Sequence, residues 1–163
     1  MSAPNTLIAP EKALERLGIA LPTPPTPVAA YVPTRIGGGP GTRLLVVSGQ
    51  VPFRDGKLIA TGTVPSAVSL DLARECARQC AINGLAAAKA AVGSLSKITQ
   101  VLRVGVFVAC DIGFTDQPKV ANGASELLVE VFGEAGRHAR AAVGTNALPL
   151  GAPVEVEFLF EIR

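Results

Sequence analysis

Near the C-terminus, Val154, Val156, Phe158, Phe160 and Ile162 alternate with Glu155, Glu157 and Glu161. A period of two marks a strand with one face in a core, so this segment demands a sheet whose inner face meets a second layer. Upstream, His138-Ala-Arg140-Ala-Ala-Val-Gly-Thr-Asn146 reads as another strand, and Leu148-Pro149-Leu-Gly151 as the turn that follows it. If these two strands pair, Arg140 can come close to Glu155. A guanidinium able to grip a carboxylate would then sit beside a carboxylate able to orient a water.

The remaining elements follow from similar signals. Pro10 to Leu17 reads as a short helix with proline in its first turn, stopped by Gly18, and Leu21 to Pro27 as an extended, proline-rich lead-in. Val28 to Thr34 is expected to be a strand carrying Tyr31, ended by a loop at Gly37-Gly-Gly-Pro-Gly41; Arg43 to Ser48 is a second strand, and Asp55-Gly56 marks a hairpin turn. Val68, Leu72, Cys76, Cys80, Asn83 and Ala87 recur at helical spacing within a helix from about Ala67 to Val92, with Ser66 or Ser69 as cap and Gly93 as stop. Ile98 to Cys110 alternates as a third strand, and Asp116-Gln-Pro118 opens a second long helix through Phe132, closed by Gly133.

Two amphipathic helices cover one face of one mixed sheet, which makes an α+β sandwich of two layers. The other face needs a cover. In a chain that is 48% hydrophobic and only 17% charged, identical subunits are the economical cover. A chain of 163 residues fits one domain, with residues 1–26 as a lead-in to a single domain over 27–163.

Composition narrows the function. The net charge of +2 comes from scattered lysines and arginines, and six phenylalanines with one tyrosine offer few stacking platforms, so nucleic-acid binding is not expected. Cys76, Cys80 and Cys110 form no CxxC pair or histidine-containing cluster, which argues for reduced core residues in a cytoplasmic protein and against a metal site. The N-terminus lacks a signal-peptide pattern, and no apolar run reaches membrane-spanning length. Gly37-Gly-Gly-Pro-Gly-Thr lacks the lysine of a P-loop, and the single histidine, His138, has no nucleophile in its local pattern.

Periodicity leaves the roles of the two charged residues open. Arg140 fits an exposed ion pair on a sheet edge, yet its neighbours Ala139, Ala141, Ala142 and Val143 favour a desolvated guanidinium with a defined anionic partner. Glu155 and Glu157 suit either water or a subunit interface.

Arg140, Leu148-Pro149, Val154-Glu155-Val-Glu157, Ser48-Gly49-Gln50-Val51-Pro52 and Pro27-Val-Ala-Ala-Tyr31 together resemble the Rid family, also called YjgF or L-PSP, in order and approximate spacing. The resemblance implies a chorismate-mutase-like fold and a homotrimer with a cleft at each subunit interface. For the enzymatic members it implies hydrolysis of 2-imino or enamino acids to 2-keto acids and ammonia. By this resemblance Arg140 grips the substrate carboxylate and Glu155 helps position the water. Tyr31 lines the cleft, Ser48 and Gly49 approach the ligand, and Asn122 is a further match in the second long helix. No cofactor is expected, because a protonated imine is already electrophilic. Three features depart from the pattern: Ala142 replaces a frequent cysteine, the segment around Gly133 to His138 is about one residue longer, and the N-terminal helix is extra. A non-catalytic trimeric sensor of small carboxylates and an endoribonuclease, an activity attached to the family's older name, are the alternatives.

Overall fold

The structure is a computed structural model describing residues 9–24 and 30–163. Helix α1 (Pro10–Arg16) precedes strands β1 (Thr34–Gly39) and β2 (Thr42–Gln50) and the small hairpin β3 (Phe53–Arg54) and β4 (Lys57–Leu58). Helix α2 (Leu70–Val92), strand β5 (Ile98–Ala109), helix α3 (Gln117–Phe132) and strands β6 (Ala139–Thr145) and β7 (Val154–Ile162) follow. The main sheet has the order β1-β2-β7-β5-β6. Only the β5–β6 pair is parallel. This is the mixed, two-layer α+β arrangement the sequence leads one to expect.

The alternation in β7 is realised in full. Val154, Val156, Phe158, Phe160 and Ile162 are buried under α2 and α3, while the residues between them are half-buried on the other face. Close approach of the layers depends on small residues: a Cβ at Gly84 of α2 would lie 2.4 Å from the Phe158 ring, and one at Gly123 of α3 would lie 1.9 Å from the Arg74 carbonyl oxygen of α2. Alanines on α2 serve the same purpose. Ser69 caps α2 by accepting from the Leu72 N–H, and Gly93, with φ of 85°, ends it. The helix begins three residues later than its periodicity suggests because Ala67 and Val68 donate to the Thr63 carbonyl in a turn.

The first strand is displaced from its expected position. Residues 25–29 lie outside the described residues, residues 30–33 are not strand, and β1 starts at Thr34, so Tyr31 precedes the strand. Gly37, Gly38 and Gly39, read as a loop, belong to β1, and the turn is confined to Pro40-Gly41. Proline followed by a glycine with φ of 81° is the residue pattern of a type II turn, and a hairpin this tight lets the flanking glycines stay in the ladder.

The last two strands do not pair, so the condition that would bring Arg140 close to Glu155 within one chain is not met. β5 lies between β6 and β7, so β6 is an edge strand. The unit β5-α3-β6 is a helical crossover, which joins parallel strands, and β7 has β2 and β5 on its two sides. The segment from Asn146 to Pro153 passes over the end of β5, where Ala109 N–H donates to the Pro153 carbonyl and Cys110 N–H to that of Thr145.

Helix α1 packs Ala13 and Leu14 inward. The Glu11 carboxylate accepts from Ser94 Oγ (2.8 Å), Leu95 N–H (2.7 Å) and Ser96 Oγ (3.1 Å), fastening α1 to the turn after α2.

Candidate functional site

Register places Arg140 and Glu155 on opposite faces of the sheet. Arg140 pairs with Val104, and Val104 pairs with Phe158, both buried against the helices. Glu155 pairs with Phe107, which alternates to the other face. One chain therefore carries two separate clusters rather than one site.

The first cluster lies where β6 meets α3. Arg140 Nη1 donates to Asn122 Oδ1 at 2.9 Å and to Ser125 Oγ at 3.0 Å. Asn122 and Ser125 are three apart on α3 and so face the same way. Contrary to the desolvated setting expected from its alanine neighbours, Arg140 is exposed, because β6 is an edge strand. Its acceptors are neutral, and no carboxylate among the described residues pairs with it.

The second cluster sits at a bulge in β2. The β2–β7 ladder shifts register between Val47 and Gln50, which releases Ser48 and Gly49 from pairing. Ser48 N–H donates to the Pro33 carbonyl and its Oγ to the Val32 carbonyl at 2.7 Å, which brings the segment after Tyr31 alongside. Tyr31 itself is exposed. Glu155 lies across Gly49 so closely that a Cβ there would be 1.8 Å from its Oε1. Burial, reinforced by the negative charge of Glu157, raises the Glu155 pKa above the ordinary carboxylate value. Glu157 is itself held by Arg103 Nη1 at 2.8 Å, whereas Glu155 has no such ion pair among the described residues.

A buried polar network on α2 supports the segment after the bulge. Asn83 Nδ2 donates to the carbonyls of Val51 (3.1 Å) and Phe53 (3.0 Å), Gln79 Nε2 donates to Asn83 Oδ1, and Arg54 Nε donates to Gln79 Oε1. In the sequence Asn83 stands at a core position of the helical repeat, and a carboxamide at an apolar repeat position is the signal for this task. Ser125 carries no sequence signal beyond its spacing from Asn122.

Cys76 and Cys80 are buried free thiols. Burial, with the Glu75 charge, pushes the Cys76 thiol up to about 11, and burial holds Cys80 well above its ordinary value. Among the described residues, no three histidine, cysteine or acidic side chains gather as metal ligands, and no helix is long and apolar enough to cross a membrane.

A family described as "YjgF/chorismate_mutase-like, putative endoribonuclease" matches residues 11–162. Protein TCP17 of Trypanosoma cruzi is 42% identical over 151 residues, covering 92% of each chain. The crystal structure of protein Atu1372 from Agrobacterium tumefaciens is 46% identical, with a TM-score of 0.86 over 94% of this chain and 92% of that one. A structure from Shewanella oneidensis MR-1, titled a "putative endoribonuclease", is 32% identical, with a TM-score of 0.89 over 95% and 100% of the two chains.

Proposed function

This chain belongs to the YjgF/chorismate mutase-like family, and from that premise we propose that it is a hydrolytic deaminase of 2-imino or enamino acids. The observation that carries the reading is the pair of complementary clusters: a guanidinium with no carboxylate partner and a half-buried carboxylate outside any ion pair among the described residues. Since they lie on opposite faces of one sheet, two copies of the chain supply one site. Arg140 and Asn122 come from one protomer, and Tyr31, Ser48, Gly49 and Glu155 from its neighbour in a homotrimer. The exposed Val46 and Val143 on the helix-free face support such an assembly.

In this site the Arg140 fork binds the substrate carboxylate and fixes the imine carbon. Glu155, whose raised pKa makes it a better base near neutrality than an ordinary glutamate, orients a water and takes a proton from it as oxygen bonds to the imine carbon. Glu155 passes that proton to the nitrogen of the carbinolamine, the carbon–nitrogen bond breaks with its electron pair leaving on ammonia, and the hydroxyl gives up its proton to Glu155 as its oxygen forms the carbonyl of the 2-keto acid.

The test generates imines from several amino acids and follows their decay with and without the protein. Arg140→Lys keeps charge but loses the planar fork, so turnover of carboxylate-bearing imines should fall about ten- to a hundredfold, as for loss of a charged hydrogen bond. No acceleration by the wild-type protein, with product binding intact, would leave a carboxylate sensor as the better reading. A stable monomer by light scattering at micromolar concentration would remove the two-copy site.

A further inference from the structure

Arg140 is one end of a hydrogen-bonded chain whose other members the proposed reaction does not use. His138 Nδ1 lies 2.6 Å from the Gly136 carbonyl oxygen, which can only accept, so Nδ1 carries the proton. In a neutral ring Nε2 is then an acceptor, and it lies 3.0 Å from Ser125 Oγ, so the hydroxyl donates to it. Arg140 Nη1 can only donate, and it reaches the same oxygen at 3.0 Å. Every direction along the chain is thus determined.

The consequence falls on the guanidinium. Nη1 has two hydrogens, and Ser125 and Asn122 take both. What remains is Nε–H and Nη2–H, the parallel pair that fits a carboxylate bidentately. The sequence spacing makes this possible: His138 and Arg140 are two apart in extended backbone, Asn122 and Ser125 one turn apart on α3, so all four meet on one side.

We propose that Ser125 and His138 are positioning residues for Arg140, with His138 ordering the Ser125 hydroxyl so that Ser125 and Asn122 aim the open Nε/Nη2 edge at an incoming 2-keto or 2-imino carboxylate. The inference rests on the carboxylate-binding role of Arg140 proposed above. Burial, assisted by the Arg140 charge and only partly offset by the Gly136 hydrogen bond, lowers the His138 pKa and keeps the ring in the neutral form the chain requires. The other charged groups around it are already engaged. Glu134 pairs with Arg137 in the preceding turn, Glu126 and Glu130 of α3 pair with Arg74 and Arg78, and Arg103 of β5 pairs with Glu157 on the opposite face. A carboxylate bound to Arg140 neutralises the one charge in contact with these hydrogen bonds that has no ion-pair partner among the described residues, so His138 titration must respond to it.

His138 is the only histidine, so the imidazole resonances of the full-length protein report it directly in NMR. Saturating pyruvate should move its titration midpoint upward, and Arg140→Gln should raise the midpoint in the free protein and abolish the pyruvate response. By calorimetry, Ser125→Ala and His138→Phe should weaken pyruvate binding roughly three- to tenfold, as for one lost hydrogen bond, while Ser125→Thr and His138→Gln, which keep a hydrogen-bond acceptor at each place, lose less. In an Arg140→Lys background, Ser125→Ala should cost under about twofold, because the fork it aims is gone. An equal loss in both backgrounds, or a His138 midpoint indifferent to both pyruvate and Arg140→Gln, overturns the positioning role. If wild type binds pyruvate and the Ser125→Ala and His138→Phe proteins bind it equally well, only this inference falls; if wild type binds none, the carboxylate reading falls with it.

Discussion

Gly49→Ala tests whether the Glu155 carboxylate must stay where the structure puts it. The added methyl would lie 1.8 Å from Glu155 Oε1, 2.7 Å from Cδ and 3.1 Å from Cγ. Restoring even a 3.0 Å contact moves the carboxylate oxygen by about 1.2 Å. The backbone offers no objection, since Gly49 is not among the glycines with positive φ. Rotating the Glu155 side chain off its preferred torsions costs about 0.5 to 1.5 kcal/mol, and the loss of glycine's freedom in the unfolded chain returns about 0.4 to 1 kcal/mol. Stability should therefore change by less than about 1 kcal/mol, a shift in Tm of no more than about 2 to 4 °C for a chain of this size. Catalysis has no such compensation, because a misplacement of about 1 Å can cost on the order of a hundredfold in rate. Single-turnover imine decay and calorimetric product binding, measured beside a thermal melt, separate the two. A variant that melts normally and still hydrolyses imines at the wild-type rate would refute a positional role for Glu155.

Glu155→Gln should oppose function to stability. A carboxylate whose folded pKa is raised costs the folded state stability as pH rises through that value, so the amide should melt slightly higher at neutral pH, by no more than about 1 kcal/mol given its partial exposure, with the gain vanishing in acid. The same protein should bind pyruvate normally while its chemical step slows; equal loss of both would make Glu155 a structural residue. Glu11 has the opposite sign. Partial burial opposes its ionisation, but hydrogen bonds from Ser94, the backbone of Glu11 and Leu95, and Ser96 outweigh it and lower its pKa, so its contribution is present above the unfolded value and lost as pH falls through the folded one. Glu11→Gln should lower the free energy of chemical unfolding at pH 7 by about 1 kcal/mol or less, with the deficit shrinking as pH falls through the folded pKa; a deficit that stays the same in acid would place the effect in packing of α1.

The sequence exposes the elements better than their arrangement, for reasons visible in particular residues. The β7 alternation is strong because its two faces meet different surroundings, a helix layer on one side and partly open surface on the other. Strand β6 reads Ala-Arg-Ala-Ala-Val-Gly-Thr, and at the sheet edge neither of its faces is fully buried, so its pattern holds no record of which way Arg140 points. The short link between β6 and β7 resembles a hairpin loop. Nothing in it shows that β5 will stand between them, since that depends on how α3 crosses over the sheet. Glycines were ambiguous for a related reason: Gly49 is required by what lies over it, whereas Gly39 merely continues a ladder, and both look alike in sequence.

Opposite faces for Arg140 and Glu155 lead to a test that single variants cannot supply. If each site takes Arg140 from one protomer and Glu155 from its neighbour, Arg140→Gln and Glu155→Gln chains are each inactive alone for different reasons. Co-refolded in equal amounts, they should assemble at random around the proposed ring of three. At any interface, the chance that the arginine side comes from a Glu155→Gln chain and the glutamate side from an Arg140→Gln chain is about one half times one half. Roughly one site in four should then regain both groups and with them about a quarter of wild-type imine hydrolysis, whereas a double variant mixed with itself regains none. Recovery should depend on subunit exchange, so mixing the two proteins without unfolding should restore activity only as fast as trimers dissociate. A co-refolded mixture that forms trimers yet stays as inactive as its components would place both groups in service of a single chain, and the two-copy site would have to be abandoned.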